Sequence, residues 1–304
     1  MNTEKTLLVS GASGQLGRKV VEFLLDNKAG RIIAATRNPE NCKMLEDRDV
    51  EVRRADFDVP ETLDAAFKGV DRMLLISTDA VGQPGKRAAQ HKQAIDAAVR
   101  AGIQHIVYTS LSHAESGSPV LIADDHVETE KVLAESSVGF TVLRNNLYTD
   151  LLLMSLPQAV VMGKLFAAAP TGGAAYITRE DCARAAAAAL ACTSEGARIL
   201  ELTGSTVISY GELAVITGEV TGKTITFVPM EPDALKVAMV QNGVPELIAD
   251  LMISFDVGME RGLFGPASST FEELCNQEST DVKSFLQANR QALVGALPQS
   301  ENTS

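Results

Sequence analysis

The sequence predicts an α/β chain: a doubly wound parallel sheet followed by a smaller, mostly helical C-terminal substrate lobe. Two observations predict it. Short apolar runs alternate with stretches of helical periodicity through the first half of the chain, joined by short turns. The first of these runs passes through Gly11-Ala12-Ser13-Gly14-Gln15-Leu16-Gly17 straight into a helical stretch.

Taken in order, Leu7-Leu8-Val9 is a buried strand, and Arg18 to Leu25, with apolar Val20, Val21, Leu24 and Leu25, is a helix. Strand, glycine turn and helix start are the context that a dinucleotide pyrophosphate needs. Gly11 permits the turn, Gly14 lets backbone approach phosphate, and Gly17 lets the helix lie close on the strand. The free N–H groups and positive dipole end of that helix would face the anion; a merely structural turn is the alternative.

Arg31 to Thr36 reads as the second strand, ended by Arg37-Asn38-Pro39. An NAD site would carry a carboxylate about twenty positions beyond the glycines, on the ribose hydroxyls. Arg37 stands there instead, and a guanidinium binds a 2′-phosphate where a carboxylate would repel it, so NADP(H) is favoured over a solvated surface arginine. Val50 to Ala55 gives a third strand running into Asp56, which either caps the next turn or meets the adenine. A helix from Pro60 to Phe67 and a strand from Arg72 to Ile76 follow. Ser77-Thr78-Asp79 then sit where a parallel sheet places ligands, at a carboxyl strand end, bordering the nicotinamide half. A helix from Arg87 to Ala101, a strand from His105 to Tyr108 ending in Thr109-Ser110, a helix from Ala123 to Ser136 and a strand from Phe140 to Leu143 complete this unit.

The division falls near 146, giving residues 1–146 as nucleotide-binding domain and 147–304 as substrate lobe, with segments around 171–205 returning to the main sheet. Asp150 to Ala169 is apolar and broken by Pro157 and glycines, and Thr171-Gly172-Gly173 is loop. Ile177 to Ala191 is an alanine-rich helix with Thr178 and Asp181 suited to capping. A strand from Ile199 to Leu202, a helix from Tyr210 to Val220 and several short helices follow, and the tail from Leu297 is expected to be mobile.

A hydrophobic content of 45% and a charged content of 22% over 304 residues fit an ordinary globular enzyme. The net charge of −12 argues against a nucleic-acid surface. The N-terminal Met1-Asn2-Thr3-Glu4-Lys5 carries no signal-peptide core, no apolar run is long enough for a membrane span, and Cys42, Cys182, Cys192 and Cys275 show no metal spacing. A cytoplasmic protein with reduced thiols and no metal is expected.

The glycine pattern, Arg37 and Leu143-Arg144-Asn145 together resemble the atypical short-chain dehydrogenase/reductases of the NmrA-like group. So do Tyr108-Thr109-Ser110-Leu111, His126-x-x-x-Glu130-Lys131, Arg179-x-Asp181 and Asp256-Val257-Gly258, and the likeness is greatest to bacterial type 2 NAD(P)H:quinone oxidoreductases. The resemblance implies a Rossmann-like fold, NADPH as cofactor, and hydride transfer to a flat electrophile such as a quinone. It also implies cofactor contacts from Gly11, Ala12, Ser13, Gly14, Gln15, Leu16, Arg37, Ser77, Thr78 and Asp79, and from Thr141, Val142, Leu143, Arg144, Asn145 and Asn146.

Most short-chain dehydrogenases move a proton with Tyr-x-x-x-Lys, the lysine lowering the tyrosine pKa. Here Tyr108, Tyr148, Tyr176 and Tyr210 are followed four positions on by Ser112, Leu152, Glu180 and Ala214, so the motif is absent. Counting back from the Phe140 strand, the tyrosine position holds Ile122 and the lysine position His126. His126 has three readings: a hydrogen bond to the nicotinamide ribose, a proton donor titrating near neutrality, or an exposed helix residue. His91, His105 and His113 have no visible partner, and His105 opens a strand and reads as structural. Tyr148 either stacks on an aromatic substrate or packs in the core.

The reading is an NADPH-dependent reductase that transfers a hydride to a quinone or similar aromatic acceptor without flavin or metal, with a homodimer left open. Two competitors stand beside it: a non-catalytic NAD(P)-binding redox sensor, and a reductase of triphenylmethane or azo dyes.

Overall fold

Seven strands form one all-parallel sheet in the computed structural model, which describes residues 5–193 and 195–295. The expected mobile tail from Leu297 and the segment Met1-Asn2-Thr3-Glu4 lie outside the described residues.

The chain runs β1 (Thr6–Val9), α1 (Gln15–Asp26), β2 (Arg31–Thr36), β3 (Glu51–Arg54), α2 (Glu61–Phe67), β4 (Arg72–Leu75), α3 (Lys86–Ala101), β5 (His105–Leu111), α4 (Ala123–Glu135) and β6 (Gly139–Asn145). The most apolar runs found in the sequence are the inner strands β1, β2, β4, β5 and β6, each lying between two neighbours and buried on both faces, while β3 and β9 form the partly exposed edges. After β6 come α5 (Leu156–Met162), β7 (Lys164–Ala167), β8 (Gly173–Ala174), α6 (Arg179–Ala191), β9 (Ala197–Leu202), β10 (Ile208–Ser209), α7 (Tyr210–Thr221) and β11 (Thr226–Pro229). Five helices close the described chain: α8 (Pro232–Gln241), α9 (Glu246–Glu260), α10 (Thr270–Cys275), α11 (Val282–Ala288) and α12 (Arg290–Val294).

The order across the sheet is β3-β2-β1-β4-β5-β6-β9. It reverses between β1 and β4, the switch point where open α/β sheets bind ligands at their carboxyl ends. One face buries α1 and α6 around Val20, Val21, Leu24 and the alanines of α6; the other buries α2, α3 and α4 around Phe67, Ala94, Ile95 and Leu133. The alanine-rich sequence of α6 allows it to pack against α1 with small side chains on several sides. Thr178 caps it by accepting the Asp181 N–H, as the sequence suggests, while Ile177 stands outside the helix and bridges Tyr148. β9 extends the main sheet beside β6, pairing Ile199 with Val142.

A third core, holding Leu156, Leu213, Met259, Phe264 and Leu286, belongs to the C-terminal helices. The apolar stretch after Asp150 supplies α5 and β7, and β7 pairs in parallel with β11 in a small second sheet. The lobe joins the main body through specific contacts. Asn146 Nδ2 donates to Phe264 O at 2.9 Å, and the Leu121 N–H donates to Ser254 Oγ at 3.3 Å.

Candidate functional site

The glycine turn at the carboxyl end of β1 behaves as its residues require. Gly11 has φ +61°, a left-handed conformation that other residues rarely adopt. A Cβ on Gly17 would overlap Gly11 O and come within 2.9 Å of Ala12 Cα, so close passage of α1 over the turn needs this glycine. Gly14 is different: its backbone is extended, and a Cβ would lie 3.3 Å from Gly11 O, tight but tolerable. Ala12 is buried and donates its N–H to Ala35 O at 3.1 Å, tying the turn to β2. Gln15 opens α1 in solvent, and Leu16 packs inward. The first N–H groups of a helix have no partner within it. Here no side chain caps them and no acidic residue occupies the first turn. This open, positive helix end fits an anionic pyrophosphate.

Beside the turn, Ser13 Oγ and Thr36 Oγ1 lie 2.9 Å apart. Arg37 reaches across the end of β1 to Asp79 after β4, with Nη2 3.1 Å from Oδ2, and both side chains are more than half exposed. Arg18, unremarked in the sequence, donates from Nε to Ser13 O at 2.9 Å and from Nη2 to Asn41 O at 3.4 Å, adding a second cation at this rim. Asp56 takes the first of its two readings: its Oδ1 accepts the Asp58 N–H at 3.1 Å within the turn.

The segment after β4 is held from below. Thr109 Oγ1 accepts the Ser77 N–H at 2.9 Å. Thr78 is gripped twice: its N–H donates to His91 Nε2 at 3.0 Å, and its hydroxyl donates to Gln90 Oε1 at 2.7 Å. Gln90 Nε2 in turn donates to Asp58 Oδ1 at 2.9 Å, linking the segments after β3 and β4. Because His91 Nε2 accepts a backbone N–H, its proton is on Nδ1, which lies 2.9 Å from Thr129 Oγ1. Burial and the nearby Arg87 charge push the His91 pKa down to about 3.

Tyr108 Oη lies 2.8 Å from His126 Nδ1 and 3.5 Å from His91 Nδ1. His126 is 2% exposed, which overturns the reading of it as a surface helix residue. Burial, with Arg87 and His91 nearby, holds its pKa well below the usual histidine range, so at neutral pH it is an uncharged imidazole. The expectation that His91 lacks partners is likewise corrected. His105 is structural, its Nε2 lying 2.9 Å from Thr141 Oγ1.

The end of β6 divides. Thr141 pairs with Val107, which pairs with Leu74, which is level with the Leu74 partner Val9 of β1. Thr141 is therefore level with Val9, the last residue of β1, and Val142 and Leu143 continue past that level with all three side chains buried. Arg144 is engaged elsewhere: Nη2 pairs with Glu130 Oε2 at 2.7 Å and Nη1 with Glu201 Oε1 at 3.2 Å, while Ser110 Oγ donates to Glu130 Oε1 at 2.6 Å. Asn145 does stand at the edge. Its Nδ2 donates to Tyr148 Oη at 3.0 Å, and its Oδ1 is buried without a partner. Asn146 faces the lobe, its Oδ1 accepting the Leu147 N–H at 2.7 Å. Tyr148 is half-buried against the core, with the Arg179 guanidinium 5.0 Å from its ring centre.

The fold thus gathers Gly11 to Leu16, Arg37, Ser77 to Asp79 and Asn145 along one edge of the sheet, with the side chains of Thr141 to Leu143 buried in β6 and that of Arg144 paired with Glu130 and Glu201. Sequence reasoning missed the polar face of α3. Arg87, Gln90 and His91 occupy the same stripe as Ala94, Ile95, Ala97 and Ala98. Polar residues at helical spacing on an otherwise apolar stripe were the available signal. Among the described residues no group of three or more His, Cys, Asp or Glu could hold a metal ion.

Comparison with known proteins adds to this geometry. The model of the NmrA-like family matches residues 3–286. Quinone oxidoreductase 2 of Escherichia coli strain K12 is 37% identical over 277 residues, 91% of this chain and 96% of that protein. The crystal structure of an NADPH-dependent quinone oxidoreductase from Escherichia coli complexed with NADPH matches with a TM-score of 0.89 at 35% identity, covering 93% of this chain and 99% of that one. Triphenylmethane reductase of Citrobacter sp., complexed with NADP(H), matches with a TM-score of 0.84 at 32% identity, covering 96% of this chain and 100% of that one.

Proposed function

The chain belongs to the NmrA-like family, and from that membership we propose that it is an NADPH-dependent quinone reductase working without flavin or metal. The observation that carries the reading is the uncapped N-terminus of α1 under the glycine turn, with Arg37 beside it at the switch point of the sheet. The residues present fit the cofactor. The first-turn N–H groups of α1 would take the pyrophosphate, Arg37 the 2′-phosphate, and Ser77, Thr78 and Asn145 the nicotinamide half. The unpartnered Asn145 Oδ1 is an acceptor waiting for a donor.

NADPH, when bound, supplies the hydride. The protein binds and orients. Gln90 and His91 fix Thr78, and the described C-terminal lobe outside α6 and β9 would close the acceptor end. None of the four tyrosine hydroxyls is placed as a low-pKa acid. Tyr108 meets His126, Tyr148 meets Asn145, Tyr176 points at Met259 Sδ and Tyr210 donates to Asp256 at 2.6 Å. An acceptor whose reduced form tolerates negative charge suits that equipment, and a quinone is one.

The same reading places the protein in the cytoplasm, where its four free cysteines stay reduced, with no nucleic-acid partner for a chain of net charge −12. Among the described residues no helix is long and apolar enough to cross a membrane. The deciding experiment is steady-state NADPH oxidation against a panel of simple quinones, triphenylmethane dyes and azo dyes. Turnover with quinones is the expected result. Preferential dye reduction would reassign the acceptor, and tight NADPH binding without turnover on any acceptor would make the protein a redox sensor.

A further inference from the structure

Arg87 is a buried cation with no ion-paired carboxylate among the described residues. It occupies the second position of α3, immediately after the segment that Ser77 and Thr78 begin, and is 6% exposed. Its Nε and Nη1 are enclosed and make no hydrogen bond. Among the described residues no carboxylate closes on it as an ion pair. Asp125, in the first turn of α4, feels its charge but turns toward the Ala88 N–H. Three effects disfavour a guanidinium here. Burial removes its hydration, the donors on Nε and Nη1 are unmet, and it sits at the positive end of a helix with no acidic residue in the first turn.

Apart from the Asp125 charge, the surrounding groups do not compensate. Around Arg87 lie His91, His126 and Tyr108, neutral groups that hydrogen-bond one another, Thr78 and Thr129. The position is nonetheless at the ligand end of the molecule. The first turns of α3 and α4 both start at the carboxyl edge of the sheet, where β4 and β5 deliver their chain. A cation kept there against three unfavourable terms is explained by an anion that arrives with the ligand.

We propose that Arg87 is the anion-recognition group of the cleft, receiving an ionised oxygen. This rests on the proposed reductase reading. Hydride transfer from NADPH to a quinone yields NADP+ and a hydroquinone monoanion, which later takes its proton from water. That anionic oxygen is one source of the chemistry and a cofactor phosphate oxygen is the other.

The test is calorimetric binding, independent of turnover. The probes are an ionised hydroxynaphthoquinone and its uncharged methyl ether, each titrated into NADP+-loaded protein, and NADPH titrated into the free protein. Wild type should prefer the ionised probe. Arg87→Met should melt no lower than wild type, since it removes an uncompensated buried charge. It should also weaken the ionised probe by roughly 10- to 100-fold, the range for a lost charge-assisted hydrogen bond, while leaving the methyl ether unchanged. Arg87→Lys should recover part of the loss. If the oxygen belongs to the cofactor, the same factor appears in NADPH binding instead. Wild-type affinities equal for the two probes, together with NADPH binding that Arg87→Met leaves unchanged, would overturn the proposal. If Arg87→Met does not fold, Arg87→Lys replaces it in that comparison. Failure of wild type to bind NADPH at all would instead overturn the reductase reading.

Discussion

Tyr108 Oη and His126 Nδ1 lie 2.8 Å apart inside the protein, between α4 and the sheet. The contact takes His126 out of the roles open to an exposed imidazole and makes it the partner of a tyrosine that has no water to turn to. Burial raises the Tyr108 pKa and lowers that of His126, so both are held in their neutral forms.

The first prediction follows from that pair. A histidine kept uncharged across the neutral range cannot give turnover a pH limb near neutrality. His126→Ala should therefore leave the shape of the pH–rate profile between about pH 6 and 8 unchanged. It should cost about 1–3 kcal/mol of stability for stranding the Tyr108 hydroxyl, and lower cofactor affinity by disturbing the first turn of α4. A limb that vanishes in the mutant would make His126 the proton donor after all.

Acid stability gives a second prediction. His91 and His105 have folded pKa values of about 3 and about 4, lowered first by burial and then by nearby cations. In the unfolded chain both return to about 6.5, so below that pH the unfolded state binds more protons than the folded one. Their contribution to stability is complete above about pH 6.5 and is lost as pH falls toward the folded values, on the order of 3 kcal/mol for His105. Denaturant titrations between about pH 7 and 5, above the main carboxylate range, should show the decline, and His105→Gln should flatten it. A flat wild-type profile would contradict the burial argument.

Arg37 and Asp79 yield the third. Both are exposed, so the ion pair itself contributes at most about 1 kcal/mol and its loss should not move the melting temperature. Its effect falls on the cofactor, because the Asp79 carboxylate sits where a 2′-phosphate would approach Arg37. Arg37→Ala should weaken NADPH binding by about 1.5–3 kcal/mol and hardly change NADH. Asp79→Asn should strengthen NADPH binding and lessen its dependence on salt. Equal losses for both cofactors in Arg37→Ala would remove Arg37 from the phosphate site.

The glycines separate folding from binding. Gly17→Ala drives a methyl group into the backbone of Gly11 and Ala12 and should destabilise the fold by about 1–3 kcal/mol. Gly14→Val meets only Gly11 O, at 3.3 Å in an extended conformation that valine accepts, so the variant should fold. It should nevertheless fail to bind NADPH, because its side chain fills the approach of the pyrophosphate. Normal NADPH binding by a folded Gly14→Val protein would reduce the turn to a structural role.

The sheet was legible because its evidence is local. Leu7-Leu8-Val9 or Ile32-Ile33-Ala34 can only be buried strands, and glycine spacing reports a turn whatever surrounds it. The apolar stretch after Asp150 was not legible, since β7 depends on β11, some sixty residues further on, for its partner, and α5 packs on α7 and α12. The candidate site was half readable. Arg37 and the glycines announce themselves by position relative to a strand end. Arg144 does not, because whether a guanidinium faces a cleft or Glu130 is decided by a helix folded against it. His91 and Arg87 were hidden for the same reason: their meaning lies in what α3 buries, which only the packing of α3 against α4 reveals.

The last prediction concerns the acceptor. Reducing a ketone leaves an alkoxide, a strong base, and a positioned acid in that transition state is worth about 10²–10⁴-fold. The candidates here are poor. All four tyrosines have pKa values raised by burial, and no lysine lowers any of them. His126 is neutral and already bonded. Reducing a quinone leaves an anion whose charge spreads into an aromatic ring, so its proton can come afterwards from water, and orientation of the two reactants carries the rate. Small quinones should therefore consume NADPH measurably, unactivated ketones should not, and secondary alcohols should fail to reduce NADP+ in the reverse direction. Matched quinone and ketone panels at equal NADPH settle the matter. Tyr148→Phe sharpens the result: it removes the hydroxyl on Asn145, and quinone turnover should survive it because no proton passes through that oxygen. Brisk ketone reduction by wild type that Tyr148→Phe abolishes would mean that burial does not keep this tyrosine from acting as an acid, and that the chain reduces carbonyls rather than quinones.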